Sequence, residues 1–405
     1  MDLREHGERL IPSGPARQAV IWMWVAGIAL GYAGAHATNT EPLVRATFGI
    51  TAGAMSAVFG VARIGSLAAI FITSRSDRTT RKSTFLAAFV LGIVASALTG
   101  LAQSVAVFTI MQTLTRLAVT ASAIIGTVIV VETIHGRGRT YAVSIFGAAV
   151  SLGAGLATAA LPIADLSLEG WRWVFASSAI GLLAIRGLAR EVSEPAAGST
   201  GNRDGWYRSM PNPSDFWRMC IASFSFATFS TVAVAFIIEH LVHALEMTAS
   251  QAAAIALAGG TVGGAGFFIG SALANRIGRK YTTFLALVAS SVGGVAFYQS
   301  IDAWPVGIFA ALSAFGSFLL IPSFGVWRNE LFLSAIRSRA VTWINNAGII
   351  GSIAGLSIAS ILIDGIGLPG TVTVLSLGSL VAIATLINVP EPTPSHVEQT
   401  TRPVG

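Results

Sequence analysis

The 405-residue chain has little charge, only two lysines and a single cysteine. Charged residues make up 11% of it and hydrophobic residues 53%, whereas soluble proteins carry about 25% charge. The composition therefore argues against a water-soluble fold. The apolar runs are long and continuous, unlike the alternating strands of about 10 residues that build an outer-membrane barrel. Together these features predict a polytopic helical membrane protein.

What is missing also argues against several kinds of chemistry. Cys220 alone cannot form an internal disulfide or a multi-cysteine metal site, and the six histidines show no ligand spacing. The sequence has no phosphate-binding glycine loop with its lysine and no recognisable nucleophile with its base. We therefore expect neither an enzyme nor an ATP-driven pump, and no cofactor or metal. Cys220 is expected to serve helix packing.

Twelve apolar windows approach the 20 or so residues that a helix needs to cross the roughly 30 Å hydrocarbon core. They run Gln18–Ala37, Gly53–Thr73, Ser83–Gln103, Val105–Val131, Tyr141–Ile163, Trp173–Leu188, Phe216–Ile238, Ala252–Ala274, Phe284–Tyr298, Val306–Val326, Val341–Ile363 and Thr371–Val389. The ninth is the shortest. The windows predict an all-α integral membrane protein with twelve transmembrane helices.

The basic residues predict the orientation in the membrane. The first 18 residues are too polar to open a cleaved signal peptide, so we expect the N-terminus in the cytoplasm. The even-numbered connections then hold most of the 25 basic residues, and only Arg45 and Arg172 fall on the other side. Because Lys and Arg are retained on the cytoplasmic side, both termini are predicted to lie inside. Since the basic residues occupy short loops, the net charge of +6 does not indicate a nucleic-acid partner.

A long polar connection divides the chain into two predicted bundles. It runs from about Ala189 to Asp215, is rich in proline and glycine, and is typical of a linker. The predicted organisation is a cytoplasmic tail at 1–17, a six-helix bundle at 18–188, the linker at 189–215, a second six-helix bundle at 216–389 and a cytoplasmic tail at 390–405.

The second half repeats the first at a shift of 198 residues. The shift superposes charged loop residues and helix glycines, namely Arg78 on Arg276, Arg81 on Arg279, Lys82 on Lys280, Glu132 on Glu330, Arg139 on Arg337, Gly65 on Gly263 and Gly153 on Gly351. Two halves of the same orientation are parallel repeats related by an axis along the membrane normal. The two bundles are therefore predicted to be pseudo-symmetric.

The repeated loops resemble the major facilitator superfamily, whose loop motif is Gly-x-Leu-x-Asp-Arg-x-Gly-Arg-Lys. The first copy, at 73–82, departs from the motif at Thr73, Arg75 and Thr80. The second copy, at 271–280, departs at Ser271 and Asn275. The Glu-x6-Arg elements that follow each copy are similar to those of the sugar-porter-like and organic-ion (aromatic acid) branches. The resemblance covers nearly the whole chain and implies a secondary transporter that works by alternating access.

The loop charges are predicted to form a gating network. Its members are the charged residues of the two motif copies and of the Glu-x6-Arg elements: Asp77, Arg78, Arg81, Glu132, Arg139, Arg276, Arg279, Glu330 and Arg337. Seven residues are about two helical turns, so Glu132 and Arg139 would share a face. A planar guanidinium can clamp a carboxylate with two hydrogen bonds, which would latch the cytoplasmic ends. The alternative is that these charges serve orientation alone.

Two arginines, Arg63 and Arg116, fall at membrane depth. Each lies about ten residues inside its window, roughly 15 Å deep, where an arginine costs at least about 2.5–3.5 kcal/mol. At the 198-residue shift they correspond to Thr261 and Ala314, so the charge is present in one half only. We predict an anion site in a central cavity. The alternative is that each arginine caps helix carbonyls or pairs with a neighbour.

Other candidate substrate contacts are polar or aromatic residues at membrane depth. They are Thr228 and Phe229 on the seventh helix, Ser317 on the tenth, and Asn345 and Asn346 on the eleventh. Such a mixture could hold an apolar or ring-bearing ligand with a few polar contacts. Small polar residues are also selected by close helix packing, which is the alternative for each of them.

No window carries an Asp or Glu near its middle, which bears on proton coupling. The nearest candidates are His36, Glu239 and His240, toward the outer ends of the first and seventh helices. Histidine changes charge near neutral pH, although an interfacial histidine can simply be solvated. Proton symport, facilitated diffusion and anion exchange all stay open.

The leading hypothesis is uptake of a small organic solute, a carboxylate or other organic anion, by a monomer in the lipid bilayer. The scarcity of lysine against arginine hints at a GC-rich bacterial genome, and so at a bacterial plasma (inner) membrane. The main alternative is a drug or metabolite exporter of the same superfamily. Against it, the fifth helix lacks the Gly-Pro pair of the antiporter motif, because Gly153-Ala154-Gly155 is followed by Leu156. A sugar porter and a sensor that does not transport are less favoured.

Overall fold

The computed structural model describes residues 15–76, 80–133, 138–167, 169–193, 210, 212–332 and 334–391. Within these ranges the chain is helical and contains no β-strand. Two compact units are present. The N-terminal unit comprises Met1–Phe48 and Val61–Ser199, and the C-terminal unit comprises Gly49–Gly60 and Thr200–Gly405.

The helices of the first half begin with the long first helix and end before the central connection. They are α1 (Pro15–Asn39), α2 (Glu41–Phe48), α3 (Ala52–Ser76), α4 (Arg81–Thr99), α5 (Val105–Thr133), α6 (Gly138–Ala159), α7 (Trp171–Ala176) and α8 (Ile185–Glu191). Two 3₁₀ segments, Leu161–Leu166 and Ser177–Ala184, complete the chain trace. The first residues of α3, up to Gly60, belong to the C-terminal unit.

The second half follows the same order. Its helices are α9 (Pro213–Ala235), α10 (Ile237–Glu239), α11 (Ala249–Gly263), α12 (Ala265–Arg276), α13 (Arg279–Gln299), α14 (Ala303–Glu330) and α15 (Ser334–Leu386). A π-helical turn, His240–Ala244, follows α10. Helix starts recur at the predicted shift: Pro15 and Pro213 open α1 and α9, and Arg81 and Arg279 open α4 and α13.

Eleven segments of the described chain are long and apolar enough to cross a membrane. The last of them, Arg339–Leu386, has 48 residues and contains two of the predicted windows. Gly367 divides it, because its φ of 72° is not helical and Pro369 follows two residues later. These findings confirm the prediction of an all-α membrane protein.

The ninth predicted window was too short. Helix α13 runs from Arg279 to Gln299, 21 residues, and starts five residues before the predicted Phe284. Its first turns contain two threonines that lower the local hydropathy. Thr282 and Thr283 donate their hydroxyls to the carbonyls of Gly278 and Arg279 at 2.7 and 2.8 Å, so each polar group is satisfied inside the helix.

Glycine allows the long helices to pack closely within each unit. A Cβ added at Gly31 of α1 would lie 1.9 Å from the carbonyl oxygen of Val150 on α6, and one at Gly153 would lie 2.0 Å from that of Ile28. In the second half, a Cβ at Gly351 of α15 would lie 2.2 Å from the carbonyl oxygen of Phe224 on α9. No other residue permits such approaches.

Each unit has its own apolar core. In the N-terminal unit, Phe85 and Phe89 of α4 are fully buried against Leu30 of α1. In the C-terminal unit, Trp327 and Met219 are fully buried, and Cys220 lies in the same cluster with 7% of its surface exposed. Cys220 is thus buried among helices, in agreement with its predicted role in packing.

Candidate functional site

Helices α3 and α5 cross closely at Gly65. A Cβ added to Gly65 would lie 2.2 Å from the carbonyl oxygen of Thr113 and 3.1 Å from the backbone nitrogen of Leu117. One turn further, the Thr120 hydroxyl donates to the Ser66 hydroxyl at 3.1 Å. Backbone and side-chain contacts therefore fix the two helices against each other at this level.

Arg63 and Arg116 both belong to this crossing. Arg63 precedes Gly65 by two residues, and Arg116 lies between the two α5 residues that Gly65 approaches. Both side chains are half-buried, and they are near enough for the charge of Arg63 to repel that of Arg116. Among the described residues, neither guanidinium has a hydrogen-bond or ion-pair partner. The crossing therefore concentrates two positive charges within a membrane-spanning pair of helices.

The equivalent crossing in the C-terminal unit carries no charge. There a Cβ added to Gly263 of α11 would lie 2.4 Å from the Ala314 Cβ and 2.8 Å from the Phe315 nitrogen of α14. The residues at the positions of Arg63 and Arg116 are Thr261 and Ala314. The same close contact thus forms between helices without arginine.

Next to this crossing, the C-terminal unit contains a cavity of about 290 Å³. It is lined by residues of α9, α10, α11, α13 and α14, among them Gly260, Phe297 and Ala314. The predicted substrate contact Ser317 also lines it. We call this space the α11–α14 cavity.

Thr228 and Phe229 lie in helix packing. The Thr228 hydroxyl donates to the Ser225 carbonyl at 2.7 Å, and a Cβ added to Gly355 of α15 would lie 2.2 Å from the Thr228 carbonyl oxygen. Phe229 is 1% exposed and its ring lies 6.2 Å from that of Phe226. Both residues therefore lie where α9 packs against neighbouring helices.

Asn345 is exposed, and its Oδ1 accepts a hydrogen bond of 2.5 Å from Nη1 of Arg328. The Arg328 guanidinium also lies 5.8 Å from the centre of the Phe324 ring. Arg328 and Phe324 line a smaller cavity, of about 150 Å³, in the C-terminal unit. Asn346 is half-buried. Nothing in the sequence indicated that Arg328 contacts Asn345.

Two of the predicted gating residues of the second half, Arg279 and Glu330, form a bidentate ion pair. Nε and Nη2 of Arg279 lie 2.5 and 2.7 Å from the two carboxylate oxygens of Glu330. Arg276 is exposed, and the side chain of Arg337 lies outside the described part. The carboxylate of Glu330 is thus held by the loop arginine at the start of α13.

Glu391 joins this cluster and was missed by sequence reasoning. Its carboxylate accepts hydrogen bonds from the backbone N–H groups of Arg279 at 2.6 Å and Lys280 at 2.8 Å. A carboxylate at a helix N-terminus satisfies free N–H groups and complements the helix dipole. The only sequence signal was a Glu-Pro pair after both the sixth and the twelfth windows.

The corresponding residues of the first half are less fully described. Asp77 and Arg78 lie outside the described residues, as do the side chains of Glu132 and Arg139. Arg81 is half-buried at the start of α4. The predicted network of the first half stays a prediction.

His36, a candidate for proton coupling, is fully buried. Its ring packs edge-on against Tyr32 at 4.4 Å and Phe175 at 5.6 Å between centroids. Neither ring nitrogen has a hydrogen-bond partner among the described residues. The histidine therefore lies in an aromatic enclosure within the N-terminal unit.

The other two candidates, Glu239 and His240, lie near His243, a further titratable residue of the same segment. Nδ1 of His243 is 3.2 Å from the Glu239 carboxylate, whose side chain is 8% exposed. His240 is buried, with Nε2 3.1 Å from the Ser300 carbonyl oxygen. Burial lowers the pKa of His240 below 6.5, although backbone hydrogen bonds and the Glu239 charge oppose this effect.

A matching pair lies 198 residues earlier, in helix α2. Nε of Arg45 is 3.5 Å from the carboxylate of Glu41, whose side chain is fully buried. Glu41 and Arg45 correspond by the shift to Glu239 and His243. Both halves thus bury a carboxylate with a basic residue four positions later, an arginine in the first half and a histidine in the second.

The start of α3 is held by a carboxylate from α15, within the C-terminal unit. Asp364 accepts hydrogen bonds from the Thr51 hydroxyl at 2.7 Å and the Gly53 backbone nitrogen at 3.2 Å. Further along, the Ser56 hydroxyl donates to the Leu356 carbonyl at 2.8 Å. Sequence reasoning missed this contact because its partners are more than 300 residues apart.

The fold and the buried charges define a multi-pass helical membrane protein built from two repeats. The family model of the Major Facilitator Superfamily matches residues 23–217 and 218–404. The chain therefore belongs to the major facilitator superfamily of transporters.

Solved structures of other transporters share this fold. A bacterial homolog of the human lysosomal transporter Spinster aligns with a TM-score of 0.71 and 15% identity, over 93% of this chain and 95% of that one. The xylose transporter XylE from E. coli aligns at 0.73 and 16%, over 94% and 98%. The nucleoside transporter NupG aligns at 0.76 and 11%, over 92% and 99%. No curated protein matches the chain in sequence.

At these identities the likeness shows the fold alone. The family and these structures are of transporters rather than enzymes, which fits the expectation that the chain is not an enzyme. They do not favour the sugar-porter-like branch over the organic-ion branch.

Proposed function

We propose that this protein transports small organic anions across a bacterial plasma membrane by alternating access, with both termini in the cytoplasm and as a monomer. The observation that carries the proposal is the pair of arginines at the α3–α5 crossing. Arg63 and Arg116 are half-buried, repel each other and have no counter-charge among the described residues.

An anionic solute would reduce the electrostatic repulsion between these two arginines. A cation at membrane depth is costly and is retained where it faces a watery path or a partner. Two adjacent guanidinium groups repel each other, so a carboxylate bound between or beside them lowers the energy of both. The planar fork of arginine also binds a carboxylate through two charge-assisted hydrogen bonds, whereas a sugar offers only neutral hydroxyl acceptors and a cation is repelled.

The test is uptake of radiolabelled solutes into proteoliposomes that contain the full chain. We expect uptake of at least one carboxylate in a panel of small carboxylates, aromatic acids, sugars and cations. Arg116→Gln should lower that uptake by about 10- to 100-fold, since a charge-assisted bidentate contact is worth roughly 1.5–3 kcal/mol. Arg17→Gln is the matched control, because Arg17 is exposed at the start of α1.

Two results would contradict the proposal. One is uptake of cations or neutral sugars only, by the wild-type protein. The other is unchanged carboxylate uptake in Arg116→Gln. Uptake measured with and without an imposed pH gradient separates proton symport from facilitated diffusion and exchange.

An exporter of apolar drugs or metabolites is the second candidate, and the apolar lining of the α11–α14 cavity favours it. The same proteoliposomes distinguish the two. Exclusive transport of hydrophobic cations, with no effect of Arg116→Gln, would support the exporter instead.

A further inference from the structure

The guanidinium of Arg328, near the end of α14, uses one of its nitrogens and leaves two unused. Nη1 donates to Asn345, whereas Nε is buried without a hydrogen-bond partner and Nη2 makes no hydrogen bond to any described residue. No acidic residue of the described chain pairs with Arg328. In Arg279 the same two atoms, Nε and Nη2, hold the carboxylate of Glu330. Arg328 therefore presents the pair of donors that binds a carboxylate elsewhere in the same unit.

Arg328 lines the cavity of about 150 Å³ in the C-terminal unit, which we call the Arg328 cavity. Its walls come from α9, α13, α14 and α15, and every residue that lines it belongs to this unit. Most of the wall is apolar and includes Phe226, Leu287, Leu320 and Leu386. The cavity therefore combines a cationic edge with an apolar surface inside one helix bundle.

Ser223 of α9 adds a further donor to the Arg328 cavity. Its side chain lines the cavity, and its hydroxyl makes no hydrogen bond to a described residue. The other hydroxyl of the lining, that of Thr283, already donates to the Arg279 carbonyl at 2.8 Å. Three donors are thus available to a ligand, namely two N–H groups of Arg328 and the hydroxyl of Ser223.

The first repeat has apolar residues at the positions of these polar groups. By the 198-residue shift, Ser223, Thr283 and Arg328 correspond to Val25, Phe85 and Val130. Phe85 and Val130 belong to the buried core of the N-terminal unit, and Val25 packs against it. Because this repeat packs without an arginine here, the cation of the second repeat is not a requirement of the fold. Burying a charge is costly unless it is paired, so we expect Arg328 to have an anionic partner.

The number of donors favours a carboxylate over a phosphate. A carboxylate has two oxygens, which the fork of Arg328 can bind side by side, and the hydroxyl of Ser223 can donate to one of them. A phosphate has four oxygens, so part of its charge would lose hydration without gaining a donor. The apolar wall would also face phosphate oxygens, whereas it suits the alkyl part of a carboxylate.

The volume of the Arg328 cavity limits the length of that alkyl part. An engineered cavity of about 150 Å³ holds benzene, which has about six heavy atoms. Butyrate has the same number, and the Arg328 cavity has the same volume. A monocarboxylate of about two to four carbons therefore fits, whereas a lipid chain does not.

We infer that the Arg328 cavity binds a short aliphatic monocarboxylate, with the carboxylate on Nε and Nη2 of Arg328 and on the Ser223 hydroxyl. This is a second anion site, contained in the C-terminal unit, and it does not depend on the site proposed at Arg63 and Arg116.

The experiment measures binding of butyrate, acetate and inorganic phosphate to the purified full chain by titration calorimetry. Wild-type protein should bind butyrate about tenfold more tightly than acetate, since two more methylene groups are buried, and phosphate at least about tenfold more weakly than butyrate. Arg328→Gln should weaken butyrate binding at this site by about 10- to 100-fold. Ser223→Ala should weaken it by about three- to tenfold.

Arg328→Lys keeps the charge and provides a test if Arg328→Gln does not fold. It should bind butyrate at least about tenfold more weakly than wild type, because an ammonium group cannot present two donors in one plane. The matched controls are Arg17→Gln, at an exposed arginine, and Ser271→Ala, whose hydroxyl donates to the Phe267 carbonyl of its own helix. Both controls should bind butyrate as wild type does.

The number of binding sites separates this inference from the proposed function. If Arg63 and Arg116 also bind butyrate, wild type has two sites and Arg328→Gln retains one. If wild type has one site and Arg328→Gln removes it, the site at Arg63 and Arg116 fails and the present inference stands. If butyrate binding is the same in Arg328→Gln or Arg328→Lys as in wild type, the present inference fails and the proposed function is unaffected.

Two further results would overturn the inference. One is the absence of butyrate binding to wild-type protein. The other is tighter binding of phosphate than of butyrate with both lost in Arg328→Gln, which would assign the cavity to a phosphate group instead.

Discussion

The α3–α5 crossing of the first repeat and the α11–α14 crossing of the second have the same close contact and differ in charge. Gly65 and Gly263 allow the contact in each, yet only the first carries Arg63 and Arg116. Since the second crossing packs as closely without arginine, the charges are not a requirement of packing. A costly feature confined to one repeat is expected where the protein binds its solute.

The segments that contain Glu41 and Glu239 differ in a similar way. Glu41 has a permanent cation four residues later, Arg45, whereas Glu239 has His243. The N-termini of the equivalent helices α3 and α11 also differ. Thr248 and Gln251 form a capping box within α11, whereas α3 relies in part on Asp364 of α15.

The largest expected effect comes from replacing the two arginines of the α3–α5 crossing by the residues at the equivalent positions of the α11–α14 crossing. In Arg63→Thr with Arg116→Ala, anion uptake into proteoliposomes should fall by more than about hundredfold. Its melting temperature should stay equal or rise, because two cations at membrane depth that each cost at least about 2.5–3.5 kcal/mol are removed. Loss of folding together with uptake would show that the arginines are structural, and the comparison would fail.

A smaller effect is expected at the two helix N-termini. Asp364→Ala and Thr248→Ala should each cost about 1 kcal/mol of stability, the usual value of a helix cap. The two variants should differ in which helix start is destabilised. Hydrogen exchange should accelerate at the start of α3 in the first variant and at the start of α11 in the second. Unchanged exchange at 53–56 in Asp364→Ala would contradict the role of that carboxylate.

The smallest effect concerns the pH dependence of stability and involves His240 in the second repeat. Burial lowers the pKa of His240 below 6.5, so the unfolded chain binds more protons than the native one just below this pH. Stability should therefore fall as the pH decreases from about 6.5 toward the lowered pKa. The first repeat has Pro42 at this position and cannot contribute.

Thermal unfolding between pH 7.5 and 5 tests this difference. The slope of stability against pH should be smaller in His240→Asn than in wild type. The slopes, not the absolute melting temperatures, are compared, because the variant also loses the hydrogen bond to Ser300. Equal slopes would remove His240 as a source of acid sensitivity.

The sequence predicted the helical segments well because their length and hydropathy are fixed by the bilayer. The 198-residue shift, which recurs in the starts of α1 and α9 and of α4 and α13, singled out Arg63 and Arg116 by their lack of charged counterparts. Their mutual proximity was not predictable, since they are 53 positions apart and no spacing rule relates them.

For two of the predicted substrate contacts, the sequence did not show how the helix is rotated about its axis. Thr228 and Phe229 were chosen for polarity and aromaticity at depth, but a helix that is apolar all round gives no periodicity from which to read its inward face. Glu391, Asp364 and Arg328 were missed for another reason. Each acts through a partner on a different helix, and a local pattern cannot indicate such a pairing.

Because Arg63 and Arg116 repel each other in the empty protein, its thermal stability can be used to detect a bound solute. Whatever solute neutralises that pair must bind the native form, and by mass action it raises the temperature at which the protein melts. Unlabelled compound collections can therefore be sorted by the heat resistance that they confer, before any flux has been recorded.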